Sequence, residues 1–318
     1  FFLIGIGFLY MMTGTLNMAD LAERLPEVQD TRTVRAALAF IFVGLGLKLA
    51  LFPLHLWLPN AYAYAPSFIS TFLAATATKV ALYVMLRFAF TVFGVDYSFA
   101  ALPLGAVLMT LAIAGMFAGS WVAMFQRNIK RLLAYSSVAQ VGYMVLGVSL
   151  ATSAGVAAGI LHLFNHALMK GALFMALGTL FWRVGSVRVD RLGGIGREMP
   201  WTMTAFALAG LSLIGVPLTA GFVSKWYLVL AVLEAGQPWL VALIMITSLM
   251  AVYYVWRIVE AAWFTPRPDD RAPVREAPAR LLVPVYVAVA ANFWFGIDTR
   301  LSVGGAEAAA RALLGGGP

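Results

Sequence analysis

Residues 154–181, AGVAAGILHLFNHALMKGALFMALGTLF, are apolar enough and long enough to cross a bilayer, yet they carry His162, His166 and Lys170. Such a run restricts the chain to a membrane helix, because a backbone in hydrocarbon must satisfy its own hydrogen bonds. The three polar groups stand at i, i+4 and i+8. On a helix each step of four residues turns about 40° past a full circle, so they form one stripe roughly 12 Å long. A lysine at the bilayer centre costs about 2.5–3.5 kcal/mol on insertion scales. Something must use it, pair it or hydrate it.

Runs of the same kind recur along the chain, with 62% hydrophobic and only 11% charged residues overall. Spans are expected at 34–58, 67–93, 101–125, 131–150, 154–181, 201–234, 239–264 and 281–297. The fold class is therefore all-α, a polytopic transmembrane helical bundle. The opening FFLIGIGFLYMM, about twelve apolar residues, is too short to cross and reads as the second half of a helix that begins upstream. The stretch 13–32 reads as a polar loop. No cysteine is present, which removes iron–sulfur clusters, disulfides and thiolate metal sites from this chain. GGIG at 193–196 follows no strand and is no dinucleotide site. No cofactor is expected.

The formal net charge of +8 has no soluble basic domain behind it, so nucleic acid is not an expected partner. It concentrates instead in the loops 126–131, 182–200 and 265–280, which hold eleven of the basic residues, from Arg127 to Arg280. By the positive-inside rule these loops are expected to be cytoplasmic and the C-terminus outside.

Five lysines occur, and four of them, Lys48, Lys79, Lys170 and Lys225, fall inside apolar spans; Lys130 lies in a loop. Arginine holds its proton under nearly all conditions, whereas a desolvated lysine can release one, as can histidine. The four insertion costs sum to about 12 kcal/mol, comparable with the net stability of a whole protein. Lys225 has the alternative of snorkelling to the interface, and His55 that of sitting there. The pair His162 and His166 has the spacing of a chelate, but no carboxylate, third histidine or cysteine stands near, and the stripe ends in lysine. A proton relay is the better reading, with no metal. Pro53 and Pro217 interrupt two spans and free the carbonyls of Leu49 and Leu213; broken helices of this kind point to ion sites in transporters, a packing kink being the alternative.

Four runs carry a family resemblance: GLGLKLALFPLHLWLPNAYAYAPS, STFLAATATKVALYVMLRF, NIKRLLAYSSVAQVGYM, and LHLFNHALMKGALFMALG with GVPLTAGFVSKWYL. With them the chain resembles the antiporter-like membrane subunits shared by respiratory complex I, membrane-bound hydrogenases and Mrp-type Na+/H+ antiporters, and most of all the Mrp D subunit. The resemblance implies inverted five-helix repeats with broken helices. Residues 1–93 are then the last part of a first repeat, 101–264 a complete second repeat, and 281–318 a final helix and tail. It implies a relay through Lys48, Lys79, His162, His166, Lys170 and Lys225, and a glutamate partner for Lys48 upstream of residue 1. Asn60 stands where the family usually has aspartate. The implied function is proton translocation in a multisubunit monovalent cation (Na+)/H+ antiporter, with a proton-pumping subunit of an NADH-quinone oxidoreductase or membrane-bound hydrogenase as the alternative. In neither would the chain hold a redox centre; it is expected to be no enzyme on its own, and to count as part of a translocase in a complex I-type assembly. The implied partners are other hydrophobic membrane subunits, the bilayer, protons and Na+.

Overall fold

A computed structural model describes residues 1–315. They form a helical bundle, with one isolated bridge, Asn128 to Arg188, as the extended pairing among the described residues. Six helices are long and apolar enough to cross a membrane. They are α5 (Ser67–Val92), α6 (Leu104–Phe125), α7 (Ile129–Ser149), α8 (Ser153–Val184), α11 (Trp239–Trp263) and α12 (Ala279–Ile297). Between and before them lie α1 (Phe2–Thr13), α2 (Met18–Val28), α3 (Arg32–Leu49), α4 (Trp57–Tyr64), α9 (Pro200–Ile214) and α10 (Ala220–Glu234); α13 (Arg300–Leu313) closes the chain.

Several expectations change. The stretch read as a polar loop contains helix α2, which Asn17 caps by accepting from the Ala19 N–H and which buries Leu21 and Leu25. With α1 it forms a pair bent by 67°. The tail is helix α13, which buries Val303, Ala306 and Ala310. As expected from Pro53 and Pro217, neither 34–58 nor 201–234 is one continuous helix. Helix α3 stops at Leu49, where Ala50 takes a left-handed conformation, and α4 begins at Trp57. Helix α9 stops at Ile214 before left-handed Gly215, and Thr219 caps α10 by accepting from the Phe222 N–H. Pro53 and Pro217 thus lie in the breaks, as proline does where a helix cannot continue.

Helix α7 is the most enclosed span and α8 packs beside it. Small residues set the spacing: a Cβ on Gly147 would stand 2.6 Å from the Gly155 carbonyl oxygen. Such close backbone approach is how membrane helices gain packing contact.

The three basic loops meet at one end of the bundle. The Ile129 N–H donates to Val187 O and the Gly194 N–H to Thr265 O. Glu198 accepts from Arg271 at 2.8 Å and from the Val274 N–H at 3.2 Å. Burial alone would raise the Glu198 pKa, but these hydrogen bonds and the Arg271 charge hold it below the usual carboxylate range. Glu276 accepts from the Trp201 and Thr202 N–H groups at the start of α9, where a carboxylate also suits the helix dipole.

Candidate functional site

Helix α8 presents its stripe to the bundle interior: His162, His166 and Lys170 are all buried. Each meets a different environment. His162 is held at both ring nitrogens, Nδ1 by Ser224 Oγ and Nε2 by Gln140 Oε1, each at 2.8 Å. Lys170 donates to Leu133 O at 2.7 Å and Ser136 Oγ at 2.6 Å. His166, between them, stacks on His162 with centroids 6.2 Å apart. Neither of its ring nitrogens has a partner among the described residues. A buried imidazole without partners is costly.

Lys225 does not snorkel. It is buried at the break between α9 and α10, and its ammonium donates to Ile214 O at 2.8 Å, Ser248 Oγ at 3.0 Å and Leu213 O at 3.3 Å. The carbonyls that lose their helical partners at the break are therefore the ones that hold the cation. Leu213 behaves as the proline argument expects. At the other break the carbonyl with a side-chain partner is that of Leu47, which accepts from Trp57 Nε1 at 2.7 Å.

Lys79 is buried on α5 just past a wide turn at Leu73–Ala77, and that widening directs the Ala74 carbonyl at its ammonium. Lys48 is different. Its side chain is exposed in the last turn of α3, so the structure does not bring it into the buried row. His55 is buried in the first break, stacked on Phe52 at 5.3 Å and edge-on to Tyr135 at 6.1 Å. Lys130, expected in a loop, stands in the first turn of α7 and is also buried.

Sequence reasoning left out the neutral groups. Ser136, Gln140 and Tyr143 lie on α7 at i, i+4 and i+7, and all three are buried. Tyr143 bridges His162 on α8 and Lys225 on α10. Its ring is edge-on to His162 at 5.5 Å, the Lys225 ammonium lies 4.8 Å over its face, and its hydroxyl pairs with Thr247 Oγ1 at 2.7 Å. The spacing of three polar residues in an otherwise apolar span was the available signal. No Asp or Glu is buried among the described residues, and no group of three His, Cys, Asp or Glu able to hold a metal occurs among them. The site is thus a row of exchangeable protons on lysine, histidine and hydroxyl groups, held by carbonyls and amides.

The chain is 46% identical over 299 residues to the N subunit of the NADH-quinone oxidoreductase of Desulforudis audaxviator, covering 90% of this chain and 59% of that protein. It is 31% identical over 316 residues to the D-type subunit of the Na(+)/H(+) antiporter of Bacillus subtilis, covering 98% and 63%. The chain therefore spans under two thirds of the length of these relatives. Among solved structures, a chain of the Mrp complex from a Dietzia species superposes with a TM-score of 0.90 at 26% identity, over 98% of this chain and 65% of that one. A chain of an archaeal membrane-bound sulfane sulfur reductase gives 0.88 at 31% identity, over 98% and 63%. Residues 1–251 match the family described as NADH:quinone oxidoreductase/Mrp antiporter, transmembrane, and the chain belongs to that family.

Proposed function

We propose that this chain is the proton-translocating, antiporter-like subunit of a multisubunit membrane complex. Protons pass along Lys79, Lys170, His166, His162 and Lys225, with Tyr143, Ser136, Gln140, Ser224 and Ser248 between them. The observation that carries this reading is the buried row itself, four titratable groups on α8 and α10 with no carboxylate to neutralise them. Charge placed on one member raises the cost of charging the next, and that repulsion lets a row of sites drive ions onward. Lys48, exposed on the flank of α3, is assigned the role of switch. The basic loops face the cytoplasm on this reading, because they carry the excess of arginine.

The higher identity with an N-type relative supports a quinone-oxidoreductase assembly over the D-type antiporter assembly that the sequence motifs first suggested. A Na+/H+ antiporter assembly is the second reading, supported by the D-type relative and by the superposition on the Mrp complex. In both assemblies the relay is the same. The test uses inside-out vesicles that carry the complete complex. Lys225→Met is expected to reduce proton flux at least tenfold while the chain still assembles; wild-type flux in that variant would end the proposal. Flavin and iron–sulfur partners in the purified complex support the oxidoreductase assembly. Their absence, with Na+-dependent proton exchange, supports the antiporter.

A further inference from the structure

At the basic end of the bundle the turn between α4 and α5, the start of α7 and the end of α8 enclose a cleft of about 380 Å3. Lys130 lies in it, 5% exposed. Its ammonium donates to Ala65 O at 2.8 Å and lies 5.5 Å above the Phe181 ring. An ammonium has three N–H donors, and the other two have no partner among the described residues. Ser67 also lines the cleft, and its hydroxyl is shielded from solvent without a hydrogen-bond partner.

Two residues with unspent donors thus line one cavity, and no carboxylate lines it. A buried cation ordinarily requires an anion or several acceptors. The proton relay does not supply one, since Lys130 is at the end of the bundle, in the first turn of its helix. Arg188 at the rim is occupied by Asp190 at 2.7 Å. The N-terminus of α7 adds the positive end of a long helix dipole.

The surroundings identify the occupant. Tyr64, Phe68 and Trp182 stand beside the cleft and are 82%, 77% and 53% exposed. Exposed aromatic side chains at the ends of membrane spans mark the level of the lipid headgroups. A cavity at that level, with unspent donors on Lys130 and Ser67 and no acid in its lining, matches an anionic headgroup, whereas a choline or ethanolamine cation would find no carboxylate there. We propose that the cleft binds the phosphate of an anionic glycerophospholipid. Lys130 and Ser67 donate to the phosphate oxygens, and the acyl chains lie along Phe68 and Phe181.

The test uses the assembled complex in nanodiscs made from an equal mixture of phosphatidylglycerol and phosphatidylcholine, followed by delipidation and mass spectrometry of the retained lipid. Wild type is expected to retain phosphatidylglycerol preferentially. Lys130→Gln should reduce that retention about fivefold, which is what one lysine near an anionic surface contributes. Ser67→Ala should reduce it with the Lys130 contacts intact, so the result does not depend on Lys130→Gln folding. Arg280→Gln, which removes another cation from the same end, should leave retention unchanged, and millimolar inorganic phosphate should displace nothing. Four results overturn the proposal: equal retention of the two lipids, unchanged retention in both cleft variants, displacement by phosphate, or crosslinking of Tyr64→Cys to an acidic neighbouring protein with no lipid retained.

Discussion

Replacing Lys170 by methionine separates transport from stability. Methionine nearly preserves the volume, so the variant opens no cavity of the kind that makes a large-to-alanine change cost about 2–5 kcal/mol. Removing the buried ammonium recovers about 2.5–3.5 kcal/mol of insertion cost. Against this stand two charge-assisted hydrogen bonds, to Leu133 O and Ser136 Oγ, at about 1.5 kcal/mol each on the low side of the usual range. The low side applies because neither acceptor is orphaned. Leu133 O still accepts from Ser136 Oγ at 2.9 Å and from Ser137 Oγ at 3.0 Å, so Ser136 keeps a partner as well. The gain and loss cancel to within about 1 kcal/mol. Lys170→Met is therefore expected to unfold within about 1 kcal/mol of wild type, measured by denaturant titration in detergent, and to lose proton flux in vesicles at least tenfold. Destabilisation beyond about 3 kcal/mol would mean that the lysine is a structural brace and that the accounting of its contacts is wrong. Normal flux in a stable variant would remove Lys170 from the relay.

Other outcomes follow from the same geometry. Ser224→Ala takes away the Nδ1 partner of His162 and should slow proton flux about five- to tenfold, a hydrogen bond's worth of orientation, with assembly unchanged; equal flux would show that Gln140 alone fixes the ring. Gly221→Ala should destabilise by at least about 1–3 kcal/mol, because the added Cβ would fall 1.8 Å from the Ser212 carbonyl oxygen; a wild-type melting temperature would show that the break between α9 and α10 is not tightly packed. Glu198 has a depressed pKa in the folded loops, so its contribution is present above the unfolded carboxylate value and is lost as pH falls through the folded one. Hydrogen exchange in residues 267–274 should therefore quicken below about pH 4, and Glu198→Gln should remove that dependence; an identical acid response in the variant would assign it to another group.

The sequence displayed the charged stripe because a helix has one period, and His162, His166 and Lys170 obey it on a single element. Helix α2 obeys a period as well, with Leu21 and Leu25 buried four apart, but its polar composition outweighed the pattern. The break around Pro217 was visible as a proline, whereas Gly215 and Thr219, which end one helix and cap the next, carried the finer information. Lys48 and Lys225 look alike in sequence, since both precede a proline or follow one in an apolar span. Their exposure differs because it depends on what packs alongside, and no local pattern encodes that.

The acceptors of the buried lysines were the least legible part, and they bear most on function. Lys225 is held by two backbone carbonyls and one hydroxyl, Lys170 by one of each, and Lys79 by a carbonyl. Carbonyls appear in every residue, so only the fold selects those of Leu133, Leu213, Ile214 and Ala74. A carboxylate in their place would tie each proton to its lysine through a full opposite charge. Neutral acceptors stabilise the ammonium less, and a hydroxyl can turn to donate to the free amine when the proton has left. Changing Ser248, which accepts from Lys225, to Asp is therefore expected to block proton flux by fixing the Lys225 charge, even though it strengthens the local contact. The prediction is checked by comparing Ser248→Asp with Ser248→Asn in the vesicle assay. If the aspartate variant carries protons as fast as the asparagine one, neutrality of the acceptors is not what keeps the row exchangeable.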